Sequence, residues 1–153
     1  MSLLGRLSLY PLNDVSTDVE APPPLDGRDG TAGEGPVMDE ARRAKSRQAY
    51  PDLLGGLLLP LAPKEAFALA EKHARAQRGW SLRRVEPAQG LLTAVAVTSL
   101  LRFRDDVTVR VRSVANGCRV DMRSRSRLGR DDLGANAARI RRFFSELRAE
   151  QPR

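Results

Sequence analysis

From Trp80 to Leu128 apolar and polar residues alternate with a period of two, and on both sides the spacing lengthens to that of a helix. Trp80 to Glu86 reads as a first strand and Pro87 to Gly90 as a turn. Leu91 to Phe103 reads as a long second strand, Val107 to Val114 as a third and Cys118 to Leu128 as a fourth. Upstream, Pro63 opens a helix, because a proline at the first helical position loses an N–H that would have no partner there. Phe67, Ala70 and Ala74 share its inner face, Leu69 and His73 lie on its edge, and Gly79 is placed to stop it. The last helix is predicted from about Asp132 to Ala149, capped by Asp131. Leu133, Ala137, Ile140, Phe144 and Leu147 form its apolar stripe, with Arg139, Arg142, Glu146 and Arg148 turned away from it. No repeat is visible.

Asn116-Gly117 is a two-residue hairpin signal, since both residues tolerate positive φ. If these two form the turn, Ala115 pairs with Cys118, Arg112 with Asp121, Val111 with Met122 and Arg110 with Arg123. Val107, Val109, Val111, Val120 and Met122 then share one face. Arg110, Arg112, Asp121, Arg123 and Arg125 share the other, and a one-residue slip would mix the two sets. Taking Arg104 to Asp106 as a three-residue loop pairs Phe103 with Val107 and adds Leu101, Val97 and Val95 to the apolar face. The expected fold is α+β: helix, four-stranded antiparallel sheet, helix, with both helices on the apolar face and an extended N-terminal arm.

Residues 1–49 form the arm in this reading, and 50–150 a single α+β domain. Pro22 to Pro36 is so rich in Pro, Gly and acids that it is expected to remain a flexible loop. Val37 to Ala49 reads as a short helix exposing Arg42, Arg43, Lys45 and Arg47. Tyr50-Pro51-Asp52-Leu53 turns the chain, and Leu57 to Leu61 is an apolar connector. The opening MSLLGRLSLYPL is too short and interrupted for a signal peptide, so Leu3, Leu4, Leu7 and Leu9 are free to cap a core or touch a partner. No apolar run is long enough to span a membrane, and a cytoplasmic location is the default expectation.

Charge sharpens this division. Residues 1–60 hold 6 basic and 9 acidic residues, the remainder 20 and 10, so the positive charge belongs to the part with the sheet. An anionic partner explains it. So does genomic composition, because only Lys45, Lys64 and Lys72 are lysines while Arg, Ala and Gly are abundant.

Several separated segments carry a resemblance. Phe103-Arg104-Asp105-Asp106, Val120-Asp121, Arg123-Ser124, Ser126-Arg127, Gly129, Asp132-Leu133-Gly134, Asn136 and Arg139-Ile140-Arg141 occur in order. Asn13 to Asp18 with Pro22-Pro23, and Tyr50-Pro51-Asp52-Leu53, precede them. Together they resemble the bacterial and plastid family called domain of unknown function 1499. The resemblance covers most of the chain but not Gly27 to Gly35. It implies that the arm packs on the domain, and it carries over no catalytic residue, since the family has no established activity.

The residues themselves offer little catalytic chemistry. His73, the only histidine, sits on a helix edge and reads as a satisfied side chain. Cys118, the only cysteine, has no histidine placed to activate it and reads as a buried thiol. Asp105-Asp106 and Asp131-Asp132 are explained by turn formation and helix capping before a cation. No catalytic residue, metal site or cofactor is therefore assigned. The expected anion site is Arg110, Arg112, Arg123, Arg125 and Arg127 with Asp121, because guanidinium binds phosphate and carboxylate bidentately and few acids stand in register to neutralise it. The expected function is a small binding or interaction domain with a basic sheet face, for an anionic small molecule, a lipid headgroup or an acidic protein surface. Nucleic acid fits less well, because few aromatics are free to stack on bases. Two alternatives stand beside this reading. Asp121 with its arginines serves an enzyme of unknown reaction, or Asp121 and the arm acids Asp14, Asp18 and Glu20 simply neutralise the arginines.

Overall fold

The computed structural model describes residues 12–151, so the four N-terminal leucines lie outside the described residues. Strands β1 (Asp14–Ser16), β2 (Leu57–Leu59), β3 (Trp80–Glu86), β4 (Leu91–Val97), β5 (Arg104–Val114) and β6 (Gly117–Ser126) form one antiparallel sheet. Helices α1 (Glu40–Ala49), α2 (Pro63–Ala76) and α3 (Ala135–Ala149) complete the α+β architecture. The sheet order is β1–β6–β5–β4–β3, with β2 also paired to β6.

The sheet has six strands where four are expected. The two additions lie end to end along the outer edge of β6, Asp14 to Ser16 opposite Arg125 to Arg123 and Leu57 to Leu59 opposite Val120 to Cys118. Three residues are too few to display alternation, which is why Leu57 to Leu59 reads as a connector. They occupy an edge that would otherwise present unpaired backbone groups.

The β5–β6 hairpin keeps the predicted faces with different partners. Val114 pairs with Gly117, Arg110 with Asp121, Val111 with Val120 and Val109 with Met122. Each partner is two residues from the expected one, and an even displacement leaves every side chain on its own face. Ala115 and Asn116 make the turn, Asn116 supplying the positive φ of 64°. Gly117 serves another purpose: a Cβ there would lie 2.1 Å from the Leu59 carbonyl oxygen of β2.

The β4–β5 connection departs further. β4 ends at Val97, Thr98 to Phe103 form the loop, and Arg104 to Asp106 belong to β5. The Phe103 amide donates to Thr98 Oγ1 (2.8 Å) and the Thr98 amide to the Phe103 carbonyl (2.9 Å), closing the loop. Val107 therefore meets Ala94 instead of Phe103, an odd displacement that exchanges the faces of β4. Leu92, Ala94 and Ala96 pack in the core, Val95 lies on the opposite face, and Leu101 and Phe103 are exposed. Tertiary ion pairs override the turn preference of the two aspartates: Asp105 meets Arg139 at 2.7 Å, and Asp106 meets Arg127 at 2.8 Å from the other face.

Helix α2 starts at Pro63 as predicted and buries Phe67, Ala70 and Ala74, but it ends at Ala76, ahead of Gly79. Helix α3 starts three residues late. Asp131 Oδ1 accepts from the Leu133 amide and Asp132 Oδ1 from the Gly134 amide, which holds 131–134 outside the helix and leaves Leu133 exposed. Asp132, rather than Asp131, reaches the first turn, accepting from the Asn136 amide. Ala137, Ile140, Phe144 and Leu147 are buried as predicted, joined by Phe143, which stacks on Trp80 at 5.4 Å between ring centroids. Arg139, expected to face away, turns to the sheet. Of the four cations expected to be exposed on α1, only Arg47 is so; Arg42, Arg43 and Lys45 are half-buried.

The opposite face of the sheet is also covered. Val19, Leu25 and Met38 of the arm are buried outside the main core cluster. Arm carbonyls accept from the sheet, Pro24 from Thr108 Oγ1 (2.7 Å) and Pro36 from Arg123 (2.8 Å).

Substituting Gly117 by Ala is expected to destabilise the protein by about 2 kcal/mol or more, since backbone must move to admit the methyl group. Gly33→Ala, with nothing within 4 Å of its added carbon, should cost only the roughly 1 kcal/mol of its left-handed conformation. Urea unfolding of both variants checks the contrast, and equal effects would contradict the close approach of β2.

Candidate functional site

Alternation along β5 and β6 brings Arg110, Arg112, Arg119, Asp121, Arg123 and Arg125 to one face, and Arg127 continues the row. That face is not open, because residues 17–38 run across it, and the acids that sequence register did not provide come from the arm. Asp14 receives Arg123 through two hydrogen bonds (3.0 and 2.7 Å), with Arg125 at 3.3 Å. Asp18 Oδ2 receives Arg112 (2.9 Å) and Arg110 (3.2 Å). Asp121, with no exposed surface, accepts from Thr17 Oγ1 (2.7 Å), Arg112 (3.1 Å) and Arg119 (3.0 Å). Asp26 receives Arg84 at 2.7 Å and Thr93 Oγ1 at 2.6 Å. Glu20 pairs with Arg47 of α1 instead. Among the six arginines of this row only Arg112, 42% exposed, presents much surface to solvent.

Burial alone would raise the carboxyl groups of Asp18 and Asp26. Hydrogen bonds outweigh it: those from the Ala21 amide and Arg112, and those from Arg84, Thr93 and the Gly33 amide, hold both acids below the ordinary range. Burial pushes Asp132 the other way, to a raised value. Burial also raises the Cys118 thiol, whose sulfur donates to the Leu61 carbonyl. His73 sits between Glu146 and Glu150, with Nε2 3.2 Å from the latter.

The more open chemistry lies at one end of the sheet, where the β4–β5 loop and the β6–α3 connection meet. Beneath them is a buried polar cluster. Asn136 Oδ1 accepts from Ser124 Oγ (2.6 Å) and Arg139 (2.8 Å), its Nδ2 donates to Ser126 Oγ (2.9 Å) and Asp132 (2.7 Å), and Arg139 reaches Asp105. Above it, Leu100, Leu101, Phe103, Leu128 and Leu133 rim a cleft of about 340 Å³ floored by Asp105, Ser126 and Asp132. Beside it, sharing Thr98 and Ser99, is a cleft of about 790 Å³ lined by Trp80, Arg78, Arg102, Arg139 and Arg142. Arg78, Arg102 and Arg142 have no carboxylate within ion-pair distance among the described residues. Two bulky residues with left-handed backbone, Arg102 (φ 54°) and Leu133 (φ 53°), stand on opposite sides of this end. Such conformations cost about 1–3 kcal/mol and collect at functional sites.

Sequence reasoning missed Arg78, Arg102 and Arg142. For Arg78 and Arg102 the signal is negative, since neither has an acid in strand register or at helical spacing; Arg142 has Glu146 four residues on, so nothing in the sequence marks it as unpaired. Leu100-Leu101 carried a second signal, since adjacent leucines cannot both face one side of a strand. Phe103, Asp105, Ser126, Gly129, Asp132, Leu133, Asn136 and Arg139, all part of the family resemblance, converge around this end.

Two outcomes are expected for the covered face. Arg123→Ala leaves Asp14 buried with only Arg125, and should destabilise by about 3–5 kcal/mol. Arg112→Ala, half-exposed and backed by Arg110 and Arg119, should cost about 1 kcal/mol. Urea titration distinguishes them. The lowered acids Asp18 and Asp26 contribute stability that is complete above their ordinary value of 3.8 and lost as pH falls through their folded values. Asp132 acts oppositely, costing stability as pH rises above 3.8 through its raised folded value. Asp26→Asn should therefore lower stability at neutral pH and flatten its decline in acid. Parallel pH curves for variant and wild type would contradict this.

The profile of the family described as a protein of unknown function, DUF1499, matches residues 14–147. No curated protein matches the chain. Spanning the arm, the whole sheet and nearly all of α3, that match shows the chain to be a member of the DUF1499 family.

Proposed function

We propose that this protein is a non-catalytic binding domain whose ligand carries an anionic group, taken up in the cleft of Arg78, Arg102 and Arg142 beside Trp80. The observation that carries the reading is the contrast in pairing. Every arginine of the sheet row from Arg110 to Arg127 has a carboxylate partner, whereas these three have none among the described residues and share one cleft. Unneutralised guanidiniums around a concavity of several hundred cubic ångströms are what recognition of phosphate or carboxylate requires. In this reading Arg110, Arg112, Arg123, Arg125 and Arg127, with Asp121, frame the domain and hold the arm. A catalytic role for Asp121 has less support, because its carboxylate has no exposed surface and already accepts from Thr17, Arg112 and Arg119.

Trp80 is the only tryptophan, so its emission reports on this cleft directly. Titration with inorganic pyrophosphate should perturb that emission, and binding should weaken as salt rises. Arg78→Ala and Arg142→Ala should each weaken it about tenfold, in keeping with loss of a charge-assisted hydrogen bond. Their unfolding midpoints should stay near wild type, because both side chains are exposed. Arg148→Ala, on α3 but outside the cleft, should bind as wild type. Unchanged affinity in both cleft variants, or no response of Trp80 to the anion, would overturn the proposal.

A further inference from the structure

Leu100, Leu101, Leu128 and Leu133 are 88%, 65%, 68% and 73% exposed, and Phe103 is 45% exposed. All five belong to two loops at the same end of the sheet and rim one cleft. A contiguous apolar patch of this kind on a charged rim marks an interaction surface. Arginines are interleaved with it: Arg102 between Leu101 and Phe103, Arg104 after Phe103, and Arg130 between Leu128 and Leu133. All three are exposed and have no carboxylate within ion-pair distance among the described residues. The acids nearby are otherwise engaged, Asp105 with Arg139, Asp131 with the Leu133 amide, and Asp132 with the Gly134 amide and Asn136.

We infer that this end of the molecule docks on a bilayer surface containing anionic phospholipid. The four leucines enter the boundary of the acyl region, and a lipid phosphate occupies the basic cleft of Arg78, Arg102 and Arg142. The headgroup half of this inference rests on the function proposed above; the leucine half stands on exposure and position. The occupant follows from the pattern. Exposed leucines on two loops, with Arg102, Arg104 and Arg130 within three residues of them, match the depth profile of an interface in which apolar side chains lie below the phosphates and cations lie among them. A second copy of the chain would bring one unpaired basic surface against another. The two clefts meet at Thr98 and Ser99, so one amphipathic anion can span both.

The test is co-sedimentation of the full chain with vesicles of phosphatidylcholine alone or with one-third phosphatidylglycerol. Trp80 emission in the presence of soluble glycerol 3-phosphate runs in parallel. Wild type should bind the anionic vesicles at least about tenfold better than the neutral ones. The uncharged double variant Leu100→Ser/Leu101→Ser should lose about tenfold or more on anionic vesicles, while its response to glycerol 3-phosphate and its thermal unfolding stay at wild-type values. If glycerol 3-phosphate binds but vesicles do not, docking is wrong and the anion site stands, with an acidic protein surface as the remaining class of partner. If vesicles bind in a leucine-dependent way while Arg78→Ala/Arg142→Ala has no effect, docking stands and the anion site is wrong. Equal binding to both vesicle types, or to wild type and the leucine variant, overturns the inference.

Discussion

The pairing of sheet arginines with the aspartates of the arm is the interaction on which the rest of the structure depends. A guanidinium taken out of water without a partner costs several kcal/mol, and β5 and β6, with Arg127 just beyond them, line up six of them in one row. Without Asp14 and Asp18 the face that carries the row would have to stay wet. With them it can be covered, and Val19, Leu25 and Met38 then become buried apolar side chains. The pairing also sets the register of β1 on β6, because Asp14 must sit opposite Arg125 to reach both it and Arg123. The net gain from buried ion pairs is small. Their effect is specification: only one placement of the arm satisfies Asp14, Asp18 and Asp26 together.

This has a consequence for function. Charge that appears available in the sequence is consumed internally, and the surface is less basic where the arginines are densest. Five cations without a carboxylate partner among the described residues, Arg78, Arg102, Arg104, Arg130 and Arg142, lie at the end of the sheet, near the two loops that also carry the exposed leucines. Both loops are shaped by short-range chemistry that keeps them out of regular structure, the Thr98–Phe103 closure on one side and the Asp131 and Asp132 turns on the other. The buried cluster of Ser124, Ser126, Asn136, Arg139 and Asp105 fixes α3 against β5 and β6 just beneath. A rigid polar base under two open apolar loops is an arrangement suited to presenting a binding end.

The α+β class, the central hairpin and the core faces of α2 and α3 were legible because they rest on local periodicity. The faces of β5 and β6 survived a wrong turn assignment because the error was even, whereas the odd error on β4 exchanged Leu92, Ala94 and Ala96 for Val95 and Val97. Asp105-Asp106 reads as a turn from propensity, and nothing local reveals that Arg127 and Arg139 hold the pair extended. Three-residue strands such as Leu57–Leu59 carry no period at all. The arginine row was correctly placed on one face, and Asp14 and Asp18 were recognised as possible covers. What sequence could not weigh was whether a Pro- and Gly-rich segment would be tied down, since the ties are arm carbonyls and carboxylates meeting side chains about a hundred residues away.

A double-mutant cycle on Asp14 and Arg123 tests most directly whether the sheet arginines are committed to the arm. Urea unfolding of Asp14→Ala, Arg123→Ala and the double variant should give a coupling of at least about 1.5 kcal/mol, because the first substitution already removes what the second would lose. Additivity within about 0.5 kcal/mol would mean that the two side chains are energetically independent. The arginine face would then be available for a ligand after all.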